Sequence, residues 1–403
     1  MLPGPRRTRR TTCKMAKSGK TKQTKGVDIV IILLVTVLLL FGLVSLLNVL
    51  SDPFDGTEVG LEGFLSRLNL EYFNRQLVSI LISLVVAAPI AFLDYDKYKP
   101  FVKMAYLVIC ALLVLLLVVK VNTRGVFGWY KIGTSRSFQP SELGKVVLLV
   151  ALSKFVSECY DRRGHFNNFW DVLQAVIIFA IPFGLVMMQP DFGTAMVFAV
   201  IFIGVVFAAR ISWLYILGGG AATVISLPII YRYLLTNDQK ARIRVFLDPT
   251  LDLEGNGYNV LRSKELVGSG GLFGKGYFSV GTLSQKKYVP ERQTDFIFSS
   301  IAEGLGFVGA AILILLFFLL LLRILLVARR SKDMFGRCLC VGTVAMMGFH
   351  VFENIGMNMG LMPVTGIPLP LISYGGSNIM ATLVTVAIVL SVNYRAFNRG
   401  QIT

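Results

Sequence analysis

The segment Val289-Pro-Glu-Arg-Gln-Thr-Asp-Phe-Ile-Phe298 sets one carboxylate, Asp295, between polar residues and two phenylalanines, just ahead of an apolar run. A carboxylate at such a boundary is partly desolvated and therefore a stronger base, which suits removal of a proton from a hydroxyl nucleophile. An Asp ahead of a helix also caps it, and on the residue alone that reading stands beside the chemical one. A second polar stretch, Gln139-Pro-Ser-Glu-Leu-Gly-Lys145, opens another apolar run, and Lys145 enters it. A cation at that depth needs a partner or a cavity, and Glu142, three residues earlier on the same helical face, can supply an internal ion pair.

Around Asp295, residues 236–300 carry Lys240, Arg242, Arg244, Arg262, Lys264, Lys275, Lys286, Lys287 and Arg292. These bases fit an anionic ligand. Seven acidic residues, from Asp238 to Asp295, accompany them, so a solvated, charge-balanced loop fits equally well. The glycine-dense stretch Gly268–Gly276 is no P-loop, because Lys275 is followed by Gly276 where Ser or Thr would be required. It reads as a re-entrant or surface-lying loop, or as backbone approaching a ligand. His165 and His350 have no evident partners, and Cys338-Leu-Cys340 lacks metal-site spacing, so zinc chemistry has no support.

The elements that must hold these residues are membrane helices. Of 403 residues, 55% are hydrophobic and only 16% charged, with a mean hydropathy of +0.68, more than one soluble core requires. Apolar runs at residues 29–50, 76–93, 104–119, 143–156, 172–188, 192–209, 211–235, 305–322, 338–357 and 379–392 give about ten spans. The first is longer than a signal-peptide core and lacks a small-residue cleavage pattern, so it reads as a retained anchor. The net charge of +17 sits in a tail and in loops beside spans, which speaks for topology and against nucleic acid.

The expected layout is a basic cytoplasmic tail over 1–27, one membrane domain over 28–395, and a short cytoplasmic tail over 396–403. An outward loop, 236–300, joins helices seven and eight. Met15 is an alternative start, since the basic stretch before it is dispensable to the fold. All five cysteines fall in the cytoplasm or within spans, where disulfides are not expected. Further outward breaks occur at Gln189-Pro-Asp-Phe-Gly-Thr194, at Asn354-Ile-Gly-Met-Asn358 and through the Pro- and Gly-rich stretch 363–377. Irregular backbone at membrane depth lines cavities rather than facing lipid.

In order along the chain, Gln139-Pro-Ser-Glu-Leu, Gln189-Pro-Asp-Phe-Gly-Thr, Phe246-Leu-Asp-Pro, Gly257-Tyr-Asn-Val, Pro290-Glu-Arg-Gln-Thr-Asp-Phe-Ile-Phe and Pro363 to Ser377 resemble the SEDS family of bacterial shape, elongation, division and sporulation proteins. The glycine-rich segment, Gly281-Thr-Leu-Ser-Gln285 and Asn354-Ile-Gly-Met are more similar to its elongation branch, RodA, than to its division branch, FtsW.

The resemblance implies an all-α polytopic enzyme of the bacterial cytoplasmic membrane that polymerises lipid II into peptidoglycan strands on the outer face. It implies work with a class B penicillin-binding protein and the elongation machinery. The family's essential acid falls on Asp295, its outer-face Arg on Arg242 and its Lys on Lys145. Substrate contacts are expected from these two and from Trp129, Glu142, Ser263, Gln293 and Thr294. A divalent cation, Mg or Mn, is an alternative counter-charge for the diphosphate. Two positions depart from the family pattern: Glu303-Gly304 replaces a Glu pair, and Gly128 stands where an Arg precedes Trp129. A lipid II flippase and a noncatalytic scaffold for the transpeptidase are the competing readings.

Overall fold

The computed structural model describes residues 28–52, 60–119, 128–132, 136–280, 282–284 and 289–398. The basic tail, Arg124, Gly281, Gln285, Lys286, Lys287 and the last five residues of the chain lie outside them. Among the described residues thirteen α-helices carry the fold: α1 Ile29–Leu50, α2 Gly60–Arg67, α3 Leu70–Phe92, α4 Val102–Val119, α5 Pro140–Arg163, α6 Phe169–Met187, α7 Phe192–Ala208, α8 Trp213–Ile229, α9 Asn237–Leu247, α10 Asn256–Ser269, α11 Ile297–Arg330, α12 Met334–Asn358 and α13 Gly376–Asn398.

Helices α1, α3, α4 (with its lead-in turn), α6, α11, α12 and α13 are long and apolar enough to cross a membrane, while α7 and α8 are shorter apolar helices. With α5 they account for all ten apolar runs. Helix α5 contains Glu142, Lys145 and Lys154 yet is buried along most of its length, so its polarity faces protein and not lipid. Where a few residues separate the helices, capping fixes the turn. Asp191 accepts from the Thr194 N–H at the start of α7, Asp333 accepts from the Gly336 N–H at the start of α12, and Gly164 ends α5 in the left-handed region at φ 74°.

Small residues bring the central helices together. A Cβ at Gly204 of α7 would lie 2.5 Å from that of Ala345 on α12, so only glycine permits this approach. One end of the bundle is latched by Arg323 donating to Asp28 at 2.9 Å, and by Arg395 pairing with Asp94, Asp96 and Asp333. At the opposite end Phe278 N–H donates to Asn48 Oδ1 at 2.7 Å, and the Gln76 amide spans Ser373 O and the Gly375 N–H.

The sequence reading differs from the structure in three places. An antiparallel pair of strands, β1 Tyr130–Ile132 with β2 Arg136–Phe138, lies just ahead of the Gln139–Lys145 stretch. The outward loop contains α9 and α10, both rich in charge and so invisible to hydropathy. Helix α11 begins at Ile297, eight residues before the apolar run at Leu305, and it breaks at Gly306 (φ 66°).

The expected layout, with ten crossings, puts both termini on one side of the membrane. In intact cells a membrane-impermeant thiol reagent should label a cysteine placed at the exposed Glu254, and should leave cysteines placed at Lys97 and Lys332 unlabelled until the membrane is permeabilised.

Candidate active site

Residues 289–296 form a tight turn ahead of α11. The N–H groups of Thr294, Asp295 and Phe296 all point at Glu291 O, at 3.1 to 3.3 Å, and Glu291 itself takes φ 55°. Beneath the turn, the buried Arg292 guanidinium donates to Ser284 O at 2.6 Å. The N-cap position of α11 is Phe296, which leaves Asp295 one residue outside the cap.

The Asp295 carbonyl receives two side-chain amides from α12. Asn354 Nδ2 reaches it at 2.9 Å and Asn358 Nδ2 at 3.0 Å. Spaced i,i+4, the two asparagines share one helical face, and neither has exposed surface. Asn354 Nδ2 also bonds Ile367 O at 2.8 Å, and Asn358 Oδ1 accepts from the Ser299 N–H at 3.1 Å. Ser263 Oγ donates to Asn358 O at 2.8 Å.

Residues 363–374 run across the outer end of the bundle as an irregular strap, and the candidate site residues meet it in sequence. Arg242 Nη1 donates to Val364 O at 3.3 Å. Thr365 Oγ1 donates to Glu353 Oε1 at 2.9 Å. Gly366 has φ 75°, which favours glycine, and a Cβ there would lie 3.5 Å from Asp295 Oδ2, so the strap backbone passes directly beside the carboxylate. His350 Nδ1 lies 3.4 Å from Pro368 O. At the far end Ser373 Oγ donates to Thr294 O at 2.6 Å and Tyr374 N–H to Gln293 O at 2.9 Å.

A second polar group lies under the strap. Lys145 Nζ bonds Glu142 Oε1 at 2.8 Å and His350 Nε2 at 3.2 Å, and Asn378 donates to Glu142 Oε2. An ammonium is donor-only, so His350 Nε2 accepts and its Nδ1–H faces Pro368 O. Glu142, Lys145, His350, Asn378 and Pro370 line a small cavity there. A second cavity lies between the Arg242 face of α9 and the strap at Met362–Val364.

The structure therefore brings Asp295 and Arg242 to strap positions two residues apart, and connects Lys145 to the same strap through His350. Glu142 and Lys145 are 3% and 2% exposed; they pair with each other and both line the small cavity under the strap. Ser263, expected to touch substrate, is fully buried and supports Asn358 instead. Gln293 and Thr294 hold the strap through their backbone carbonyls. Trp129 is half-buried just ahead of β1.

Sequence reasoning missed the part played by Glu303. It is 1% exposed and accepts from the N–H groups of Leu283 and Ser284, the Ser284 hydroxyl and Lys275 Nζ. It gathers the outward loop rather than facing a reaction. Beside it, the place of a side chain at residue 304 is taken by the Tyr277 ring, which explains why glycine stands there. Burial pushes the Tyr277 phenol up to about 12, so it keeps its proton and its hydrogen bond to Ser45 (2.8 Å) throughout the physiological range.

A model of the cell cycle protein family, which joins FtsW, RodA and SpoVE, matches residues 28–398. This chain belongs to that family. Peptidoglycan glycosyltransferase MrdB of Escherichia coli K12 is 36% identical over 320 residues, covering 79% of this chain and 84% of MrdB. Stage V sporulation protein E of Bacillus subtilis is 34% identical over 332 residues, 80% and 87% of the two chains. The rod shape determining protein RodA of Thermus thermophilus superposes with a TM-score of 0.65 at 29% identity, over 91% of this chain and 96% of that one. A chain of a peptidoglycan synthase complex, in a structure concerned with coordinating polymerization and crosslinking, gives a TM-score of 0.75 at 29% identity, over 92% and 98%. Like these relatives, the present FtsW/RodA/SpoVE member is a multi-pass membrane protein, and its strap and paired asparagines fall inside the matched region.

Removing one asparagine leaves buried carbonyls unpaired, at about 1 to 3 kcal/mol each, and loosens the turn that aims Asp295. Asn358→Ala should lower the thermal midpoint in detergent, and should reduce activity by roughly a hundredfold. Glu303→Ala should destabilise more, because four polar groups lose one common acceptor; protease digestion should then cut first between 270 and 290.

Proposed function

We propose that the protein is a peptidoglycan glycosyltransferase that polymerises lipid II for cell elongation and rod shape. The observation that carries this reading is the placement of Asp295: a half-buried carboxylate at one end of the bundle, its carbonyl clamped by two buried asparagines, its Oδ2 beside Gly366 of the strap.

Lipid II presents its sugar through an α-linked diphosphate, and a β-1,4 bond requires attack by the acceptor 4-hydroxyl from the opposite side. One base and a good leaving group are enough. Asp295 takes the hydroxyl proton as the new C–O bond forms, and the C–O bond to the diphosphate breaks with release of undecaprenyl diphosphate. Arg242, two strap residues away and partly exposed, is the cation that stabilises the charge developing on the leaving group. Lys145, paired with Glu142, acts on the strap through His350 rather than on the diphosphate.

Among the described residues no group of three His, Cys, Asp or Glu could cage a metal. No step is assigned to an ion. In this reading the outward loop faces the cell exterior and both termini are cytoplasmic. The partner is a class B penicillin-binding protein that crosslinks the strands within the elongation machinery, in keeping with the likeness to a chain of a peptidoglycan synthase complex.

Asp295→Asn keeps the shape and removes the base. With purified protein, partner and fluorescent lipid II, it should lower glycan formation by about 10² to 10⁴-fold while the folded fraction stays unchanged. Undiminished polymer from the variant would remove Asp295 from the chemistry. Movement of lipid II between leaflets with no polymer from the native chain would make the protein a flippase, and neither activity would leave it a scaffold.

A further inference from the structure

The glycine-rich segment after α10 turns back against the break in α11. Lys275 and Gly276 N–H groups donate to the carbonyls of Glu303 and Gly304 at 2.9 Å, while Phe307 and Val308 N–H groups donate to the carbonyls of Gly271 and Leu272 at 2.9 and 3.1 Å. Four backbone bonds therefore seat the segment on the broken helix, with Gly271 and Gly274 at positive φ to make the bend. At its tip Leu272 is 65% and Phe273 81% exposed. A rigid loop that presents its two largest apolar side chains outward is built to meet something apolar.

Depth identifies what that is. From Gly306 to Arg329, α11 rises about 34 Å at 1.5 Å per residue, against a hydrocarbon core of about 30 Å. The break, and the tip bonded to it, thus sit where acyl chains meet headgroups. Tyr277 gives the same level independently, since it bonds Ser45, about 7 Å below the end of α1. The tip also continues the exposed apolar side of α11 through Phe307, Ile312, Leu315 and Phe318, a surface that a membrane span presents to lipid. The basic group beside the tip, Lys275, is engaged by Glu303 at 3.0 Å.

We propose that Leu272 and Phe273 form a membrane anchor, inserted into the outer leaflet at the boundary between headgroups and acyl chains. Through Lys275, Glu303 and Ser284 the anchor fixes the height of Arg292 and of the turn bearing Asp295 above the lipid surface. A lipid-linked substrate carries its reacting group near that level, but the anchor is a statement about the loop and the bilayer and stands apart from the reaction assigned to Asp295.

The test is Phe273→Trp, and separately Leu272→Trp, in the full chain reconstituted in nanodiscs of phosphatidylcholine, with the native chain subtracted to remove Trp129, Trp170 and Trp213. The added emission should be blue-shifted and should lose more than half its intensity when the lipid is brominated high on the acyl chain, while aqueous acrylamide quenches it weakly. Strong acrylamide quenching with no effect of bromolipid would place the tip in water and overturn the proposal. Protection from both quenchers would place protein over the tip and overturn it equally. Two reporter positions keep the result readable if one variant folds poorly.

Discussion

A peptide carbonyl at membrane depth must find a donor, and the outer half of this protein is organised around meeting that demand without a helix. The strap through 363–374 is rich in Pro and Gly and closes its own hydrogen bonds only around Leu369, so other carbonyls along it are met by side chains sent from elsewhere. Asn354, Arg242 and His350 serve the strap itself, and Gln76 brackets its end. Asn354 and Asn358 also serve the turn bearing Asp295. The same α12 face that satisfies the strap thereby sets the position of the candidate base, and the two requirements cannot be separated.

Buried charge follows a similar economy of means. An unpaired ion inside a membrane domain costs several kcal/mol, and two buried carboxylates here are paired with lysines, while the buried Glu353 has only the Thr365 hydroxyl. Lys145 and Glu142 neutralise each other and are further held by His350 and Asn378. Glu303 is surrounded by N–H and O–H donors and by Lys275. These carboxylates are therefore structural in this arrangement. In the proposed reading Asp295, half-buried beside Gly366, is the carboxylate that meets substrate.

Helix α8 contrasts with this tightly joined set. It is exposed along most of its length, and its Gly218, Gly219 and Gly220 have no neighbour within 4 Å. Helices α12 and α13 are by contrast largely buried, with the strap and the turn packed on their ends. The loop that follows α8 meets the strap through Arg242 of α9.

Much of this was legible in the chain alone. Ten apolar runs became ten helices, because hydrocarbon thickness imposes a length that hydropathy reads directly. Asp295 stood out because a carboxylate beside Phe296 and Phe298 at a span boundary is an uncommon combination, and the ordered motifs carried the family. What the sequence left open were relations between residues far apart in it. Whether Lys145 faces substrate or Glu142, whether Ser263 meets sugar or Asn358, and why Gly304 is not acidic are decided by which surfaces meet. Tyr277 over Gly304 and Asn358 over Ser263 are contacts between segments 27 and 95 residues apart. The charged helices α9 and α10, and the break at Gly306, likewise owe their form to tertiary partners, since neither hydropathy nor propensity specifies a helix whose backbone is completed by another loop.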